Sequence, residues 1–158
     1  MKELFMKYFW GLVFIFCLNS NASAQEFEQG QAWSYNTRDH EQDSILQISK
    51  IDDGLNGDRI ISITLLNLKM KIINYAQPYM ENLPHIPISE KTLKGNVKQQ
   101  VKTEALPLIS YDGYDNWKSA FDSGEAGYWT IDIKEIISVI EQSINQNIEE
   151  IEKNMPNP

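Results

Sequence analysis

The stretch that decides the fold is Ser44-Ile45-Leu46-Gln47-Ile48-Ser49-Lys50-Ile51, followed by Asp52-Asp53-Gly54-Leu55-Asn56-Gly57-Asp58 and then by Arg59 to Ile72. Isoleucine, leucine and threonine suit a pleated, half-buried surface, and the aspartates, asparagine and glycines between the two runs suit a reversal of the chain. Asn56-Gly57 is the strongest short turn signal, because both residues tolerate positive φ. The stretch therefore reads as a β-hairpin. In its second strand Ile61, Ile63 and Leu65 alternate with Ser62, Thr64 and Leu66, after which Leu66, Leu68, Met70 and Ile72 alternate with Asn67, Lys69 and Lys71. That change of phase at Leu65-Leu66 predicts a β-bulge, or a strand that leaves one sheet face for another.

Upstream, Trp33, Tyr35 and Thr37 alternate with Ala32, Ser34 and Asn36, which predicts a first strand and, with the hairpin, a three-stranded antiparallel meander. Arg38 to Asp43 is polar enough to be the connecting turn. Further upstream, Lys2 and Lys7 precede an apolar run from Tyr8 to Leu18, and the segment ends in Ala22-Ser23-Ala24. This is the three-part pattern of a secretory signal peptide, with cleavage expected after Ala24. The apolar run is about 11 residues, against the roughly 20 needed to span a bilayer, so no membrane anchor is expected after cleavage. The only cysteine, Cys17, follows Phe14-Ile15-Phe16, whereas a lipoprotein carries small residues before its modified cysteine.

The whole chain has 158 residues, 14 basic and 22 acidic, and a formal charge of −8. Without Lys2, Lys7 and Glu3 the expected mature chain of 134 residues carries 12 basic and 21 acidic side chains and a charge of −9. That length suits one domain with a core of its own, and the domain would contain no cysteine. An acidic balance argues against nucleic acid or an anionic membrane as partner.

Downstream, Asn74 to Pro87 contains Pro78, Pro84 and Pro87 and reads as a long extended loop. Ser89 is an N-cap, followed by Glu90 and by Leu93, Val97 and Val101 at intervals of four, which predicts a helix of about 13 residues weakened by Gly95. Lys91, Lys94, Lys98 and Lys102 would form its polar face. After Pro107, Asp112 can cap a second helix with Tyr114, Trp117, Lys118 and Phe121 on one side, ended by Gly124. Tyr128-Trp129-Thr130-Ile131 could add a fourth strand. Asp132 and Glu135 then stand as a capping box for a final helix with Ile133, Ile136, Ile137, Ile140, Ile144, Ile148 and Ile151 on one stripe. Continuous to Asn154, that helix would measure about 33 Å, long enough for the part beyond Ile144 to project and meet a partner helix or a second copy.

The chemistry-bearing motifs are sparse. With His40 and His85 the only histidines, no metal site is expected, and the Asp52 to Asp58 turn lacks the ligand positions of a calcium loop, since Gly54 and Ile63 stand where oxygen ligands belong. There is no serine elbow and no phosphate-binding glycine loop. His85 and Ser89 are four apart, but Pro87 favours an extended chain that separates them. No catalytic residue and no cofactor is expected. The candidate binding residues are Arg38 in the first turn and Tyr79, His85 and Ser89 in the proline-rich segment, because loops on a rigid scaffold carry function.

At Gly30-Gln31-Ala32-Trp33-Ser34-Tyr35-Asn36-Thr37-Arg38, at His85-Ile86-Pro87-Ile88-Ser89 and at Tyr114-Asp115-Asn116-Trp117 followed by Ala126-Gly127, the chain resembles a group of small exported bacterial proteins of unknown function. The resemblance implies an α+β fold and a periplasmic or secreted location, and it carries no activity. The expected organisation is a signal peptide over 1–24, a single α+β domain over 25–144 and a helical extension over 145–158. In the domain, an antiparallel meander of three to four strands packs against two or three helices. The expected function is non-enzymatic binding of another protein, such as an enzyme or toxin to be neutralised. The alternative is a small hydrolase or ligand-binding protein with its site at residues 74–89.

Overall fold

A computed structural model describes residues 26–54, 57–74, 76–77, 79–102 and 112–155. The signal-peptide segment, Cys17, the Asn56 half of the hairpin tip and Pro107 lie outside the described residues. The hairpin forms as the alternation requires: β2 (Ile45–Asp53) pairs antiparallel with β3 (Arg59–Leu66), from Ile45 opposite Leu66 to Asp53 opposite Arg59. β1 (Ala32–Tyr35) pairs with β2 and completes the meander. The protein is thus an α+β domain, with a five-stranded antiparallel sheet where three or four strands were expected.

The two additional strands come from segments whose local signals favoured other structures. Leu83–Ser89, read as loop, is β6 and pairs with β3. Pro84 and Pro87 are tolerated because β6 lies at the edge of the sheet, where a missing N–H breaks no inner ladder, while Leu83, Ile86 and Ile88 supply its buried face. Val97–Val101, read as the second half of the first helix, is β7 and pairs with β1. The helix itself, α1 (Glu90–Asn96), stops after seven residues, and its lysines are divided between helix and strand rather than forming one face. Gly95 and two β-branched valines weaken helix there, and the otherwise open edge of β1 supplies hydrogen bonds that a longer helix could not.

The sheet order is β6-β3-β2-β1-β7. In a flat sheet the two edges would stand about 19 Å apart, whereas the eight steps from Ser89 to Val97 cover only about 12 Å as helix. The sheet must therefore curl, with α1 spanning its edges. Leu93 of α1 is fully buried among Ile48, Ile61, Ile63, Ile86 and Ile88, on the face that forms the main core.

The phase change at Leu65-Leu66 resolves as a departure from the sheet. Asn67 has φ 57°, and the chain then enters a two-stranded ribbon, β4 (Met70–Lys71) with β5 (Tyr79–Met80), keeping Leu66, Leu68, Met70 and Ile72 buried. Bulges do occur, but at other places: Ser49 is the extra residue of β2, and Pro84-His85 together oppose Thr64. Thr64 bridges both irregularities, lying 2.7 Å from Ser49 Oγ and donating to the Pro84 carbonyl at 2.8 Å.

α2 (Asp112–Asp122) ends as expected, with Gly124 at φ 79°. The expected fourth strand at 128–131 is reduced to one bridge, in which Trp129 exchanges backbone hydrogen bonds with Pro87 and Ser89 along the free side of β6. α3 (Ile133–Asn154) is the 22-residue helix read from the isoleucine stripe. Its capping box does not form, because the Asp132 side chain makes no cap hydrogen bond and instead accepts from the buried Asn96 amide at 3.3 Å. Asn96 Oδ1 takes over the cap by accepting from Ile133 N. Beyond Ile144 the helix stays tied to the ribbon: Asn145 accepts from Ile73 N and donates to the Lys71 carbonyl, both at 2.8 Å. No helix among the described residues is long and apolar enough to cross a membrane.

Candidate functional site

The four candidate binding residues are not brought into one site. Arg38 sits in the turn after β1, where it forms a bidentate pair with the wholly buried Glu41 and a third bond to Glu141 of α3 at 2.6 Å. Glu41 also accepts from the backbone N–H of Lys69 at 2.8 Å, so three chain segments meet at two carboxylates and one guanidinium. The hydrogen bonds to Glu41 raise the Arg38 pKa above its ordinary value and keep it charged. Burial pushes the Glu41 carboxyl up, but Arg38 and the Lys69 N–H outweigh it and hold the pKa below its ordinary value. Arg38 also lines a small cleft of about 350 Å³ with Ser34, Thr37 and Lys98, but its guanidinium is committed to its two carboxylates. Its role is that of a latch between the meander and α3.

Tyr79 lies on β5, opposite Lys71, with 46% of its surface exposed. It stands alone among the four.

His85 faces away from the main core, because it alternates along β6 with the core-facing Ile86 and Ile88, and it packs toward α2. Its Nε2 is 3.1 Å from Ser62 Oγ, and its ring packs against Tyr114 and Trp117 with centroids at 5.8 and 5.4 Å. Trp117 stacks on Phe121 at 5.1 Å, continuing the three-four spacing into an aromatic ladder along α2. On the same sheet face Lys50, opposite Ser62, places its ammonium 4.4 Å from the Tyr114 centroid, and Tyr114 donates to Asp52 Oδ1 at 2.9 Å. Burial lowers the His85 pKa against the opposing charge of Asp52. The Tyr114 pKa is pushed up to about 12 by burial and by its bond to Asp52.

A serine and a histidine in contact invite a hydrolytic reading, but Ser62 is completely buried and the nearby carboxylate bonds Tyr114. A nucleophile must reach its substrate. As placed, the pair anchors α2 to the sheet.

Ser89 caps α1, accepting from Thr92 N at 3.0 Å and donating to Thr92 Oγ1 at 2.9 Å. It also stands in the wall of an open polar cup of about 860 Å³. Three segments build this cup: Gly57 to Arg59 after the hairpin tip, Ser89 to Asn96 through α1, and Tyr128 to Asp132 before α3. Arg59 and Lys94 both pair with Glu90, at 3.3 and 3.1 Å, and Arg59 donates to the Phe27 carbonyl. Tyr128 donates to Asp58 at 3.3 Å.

The cup was not legible in the sequence apart from Ser89, since Arg59 reads as a strand residue and Tyr128 lies 70 residues from Asp58. Among the described residues, no three histidine, cysteine, aspartate or glutamate side chains are arranged to hold a metal ion. Comparison with protein-family models, with curated proteins and with solved structures gives no match.

Proposed function

We propose that this chain is a non-enzymatic exported binding protein that engages a basic protein partner through the distal part of α3. The observation that carries the reading is the exposed far end of the isoleucine stripe, on a stretch of α3 that Asn145 and Glu152 hold against residues 71–74. Ile133, Ile136 and Ile137 are fully buried and Ile140 and Ile144 pack against the core, whereas Ile151 and Met155 on the same stripe are 57% and 60% exposed. An exposed apolar stripe on a helix is the form of a helix-in-groove contact. Glu149 and Glu150 flank it on exposed turns, outnumbering Lys153, while Glu152 accepts from the Asn74 amide, so the complementary surface is an apolar groove with a basic rim. Export is supported by the pattern of residues 1–24, and the burial of Ser62 argues against hydrolysis by the Ser62–His85 pair.

The test is affinity capture from a periplasmic extract with the mature chain beside an Ile151→Asp/Met155→Asp variant. The reading expects one basic protein held by the parent chain and released by the variant. Equal recovery by both chains, or none by either, counts against it.

A further inference from the structure

Independently of the α3 surface, we infer that the polar cup beside α1 is a binding site for a neutral saccharide. Its volume of about 860 Å³ lies within the range of ligand clefts and exceeds what one monosaccharide fills. Charge is balanced in its wall: Arg59, Lys91 and Lys94 face Asp58, Glu90 and Asp132. Balanced walls give little net field, which disfavours a phosphate or another polyanion on one side and a bare cation on the other. What they offer is a dense alternation of fixed donors and acceptors, and that is the surface a polyhydroxylated ligand matches. A vicinal diol can donate to a carboxylate and accept from a guanidinium or ammonium at once.

The wall is also held in place before any ligand arrives. Arg59 is tied to Glu90 and the Phe27 carbonyl, Lys94 to Glu90, and Asn96 to Thr92, Asp132 and Ile133. Groups already ordered lose less entropy on binding.

The feature that selects a sugar over another neutral polar molecule is Tyr128. Its hydroxyl is bonded to Asp58 and its ring lies 6.4 Å from Phe121, so an aromatic plane is fixed at a polar wall. A pyranose presents an apolar face of C–H groups for such a ring and a belt of hydroxyls for the charged groups around it. In this assignment Tyr128 is the platform, Asp58, Glu90 and Asp132 accept from hydroxyls, and Arg59 and Lys91 donate to them.

The experiment is two-dimensional NMR of the labelled mature chain titrated with maltotriose, cellotriose and chitotriose, with inorganic phosphate and glycine as controls. The inference expects at least one trisaccharide, at about 10 mM or below, to shift the amides of Lys91, Gly95 and Thr130 saturably. Tyr128→Ala should weaken that binding at least tenfold, while Tyr128→Phe, which keeps the ring and its packing near Phe121 but loses the bond to Asp58, should weaken it by a clearly smaller factor than Tyr128→Ala. The amide spectrum itself shows whether either variant is folded, and the parent-chain shifts locate the site without any variant. Three results would overturn the assignment: no saturable shift with any of the sugars, shifts confined to residues outside the cup, or phosphate or glycine binding more tightly than every sugar.

Discussion

Replacing the largely buried Arg38 by methionine should destabilise this domain strongly. The substitution keeps most of the side chain's length and removes three hydrogen bonds, two of them to a carboxylate that has no exposure to solvent. Glu41 would retain only the Lys69 N–H. Breaking a buried ion pair from one side costs about 3–5 kcal/mol, because the remaining charge is left uncompensated. Against a total stability of about 5–15 kcal/mol for a domain of this kind, the loss would be visible in any urea titration.

The pH dependence gives a sharper test because its sign reverses. In the parent chain the Glu41 pKa is depressed, so its stabilisation is present above the unfolded pKa and is lost as pH falls through the folded one. In Arg38→Met burial dominates and the folded pKa rises, so the Glu41 contribution grows as pH falls and protonation removes the buried charge. Adding Glu41→Leu to Arg38→Met should recover most of the loss, since no buried charge then remains. The reasoning is refuted if Arg38→Met costs less than about 1 kcal/mol, or if the double variant is as unstable as the single one.

Two further outcomes follow from the buried polar groups. Asn96→Ala removes the amide that caps α3 and satisfies the Thr92 carbonyl, and should cost about 1–3 kcal/mol in chemical denaturation, whereas Asp132→Ala should cost less than about 1 kcal/mol because its side chain caps nothing. Tyr35 and Tyr114 both have pKa values pushed up to about 12 from 10.0, first by burial, so their stabilisation is complete below pH 10 and is lost as pH rises toward 12. Ultraviolet titration of the native chain should show Tyr35 and Tyr114 among the late-ionising tyrosines, and Tyr35→Phe and Tyr114→Phe should each remove one late step.

The parts of the fold that were legible are those with a local cause. Alternation over 44–51 and 59–66 set the hairpin, Trp33 and Tyr35 opened the meander, and the isoleucine stripe set α3 with its full length. β6 and β7 were obscured because Pro84, Pro87, Ser89 and Gly95 carry strong local signals, while the pairing that overrides them comes from β3 and β1, distant in sequence. The change of phase at Leu65-Leu66 was a true signal of the chain leaving the sheet, and Asn67 is the residue that turns it.

The candidate sites were less legible for the same reason. Arg38 stood out as a charged turn residue, but its partner Glu141 is 103 residues away, and that partner makes it a latch. His85 stood out as one of two histidines, but its approach to Ser62 and α2 depends on the register of β6 against β3. Ser89 was recognised as a cap, and the cup around it exists only once the hairpin tip and the segment before α3 converge. The stripe on α3 was legible as a period, but the ties of Asn145 and Glu152 to residues 71–74 were not, because those partners lie more than 70 residues away.

Capture from a periplasmic extract by the mature chain, compared side by side with Ile151→Asp/Met155→Asp, therefore tests the central proposal most directly. The account predicts a single basic protein bound by the parent chain and absent from the variant, with both chains equally stable to urea. Recovery of the same protein by both chains would contradict it.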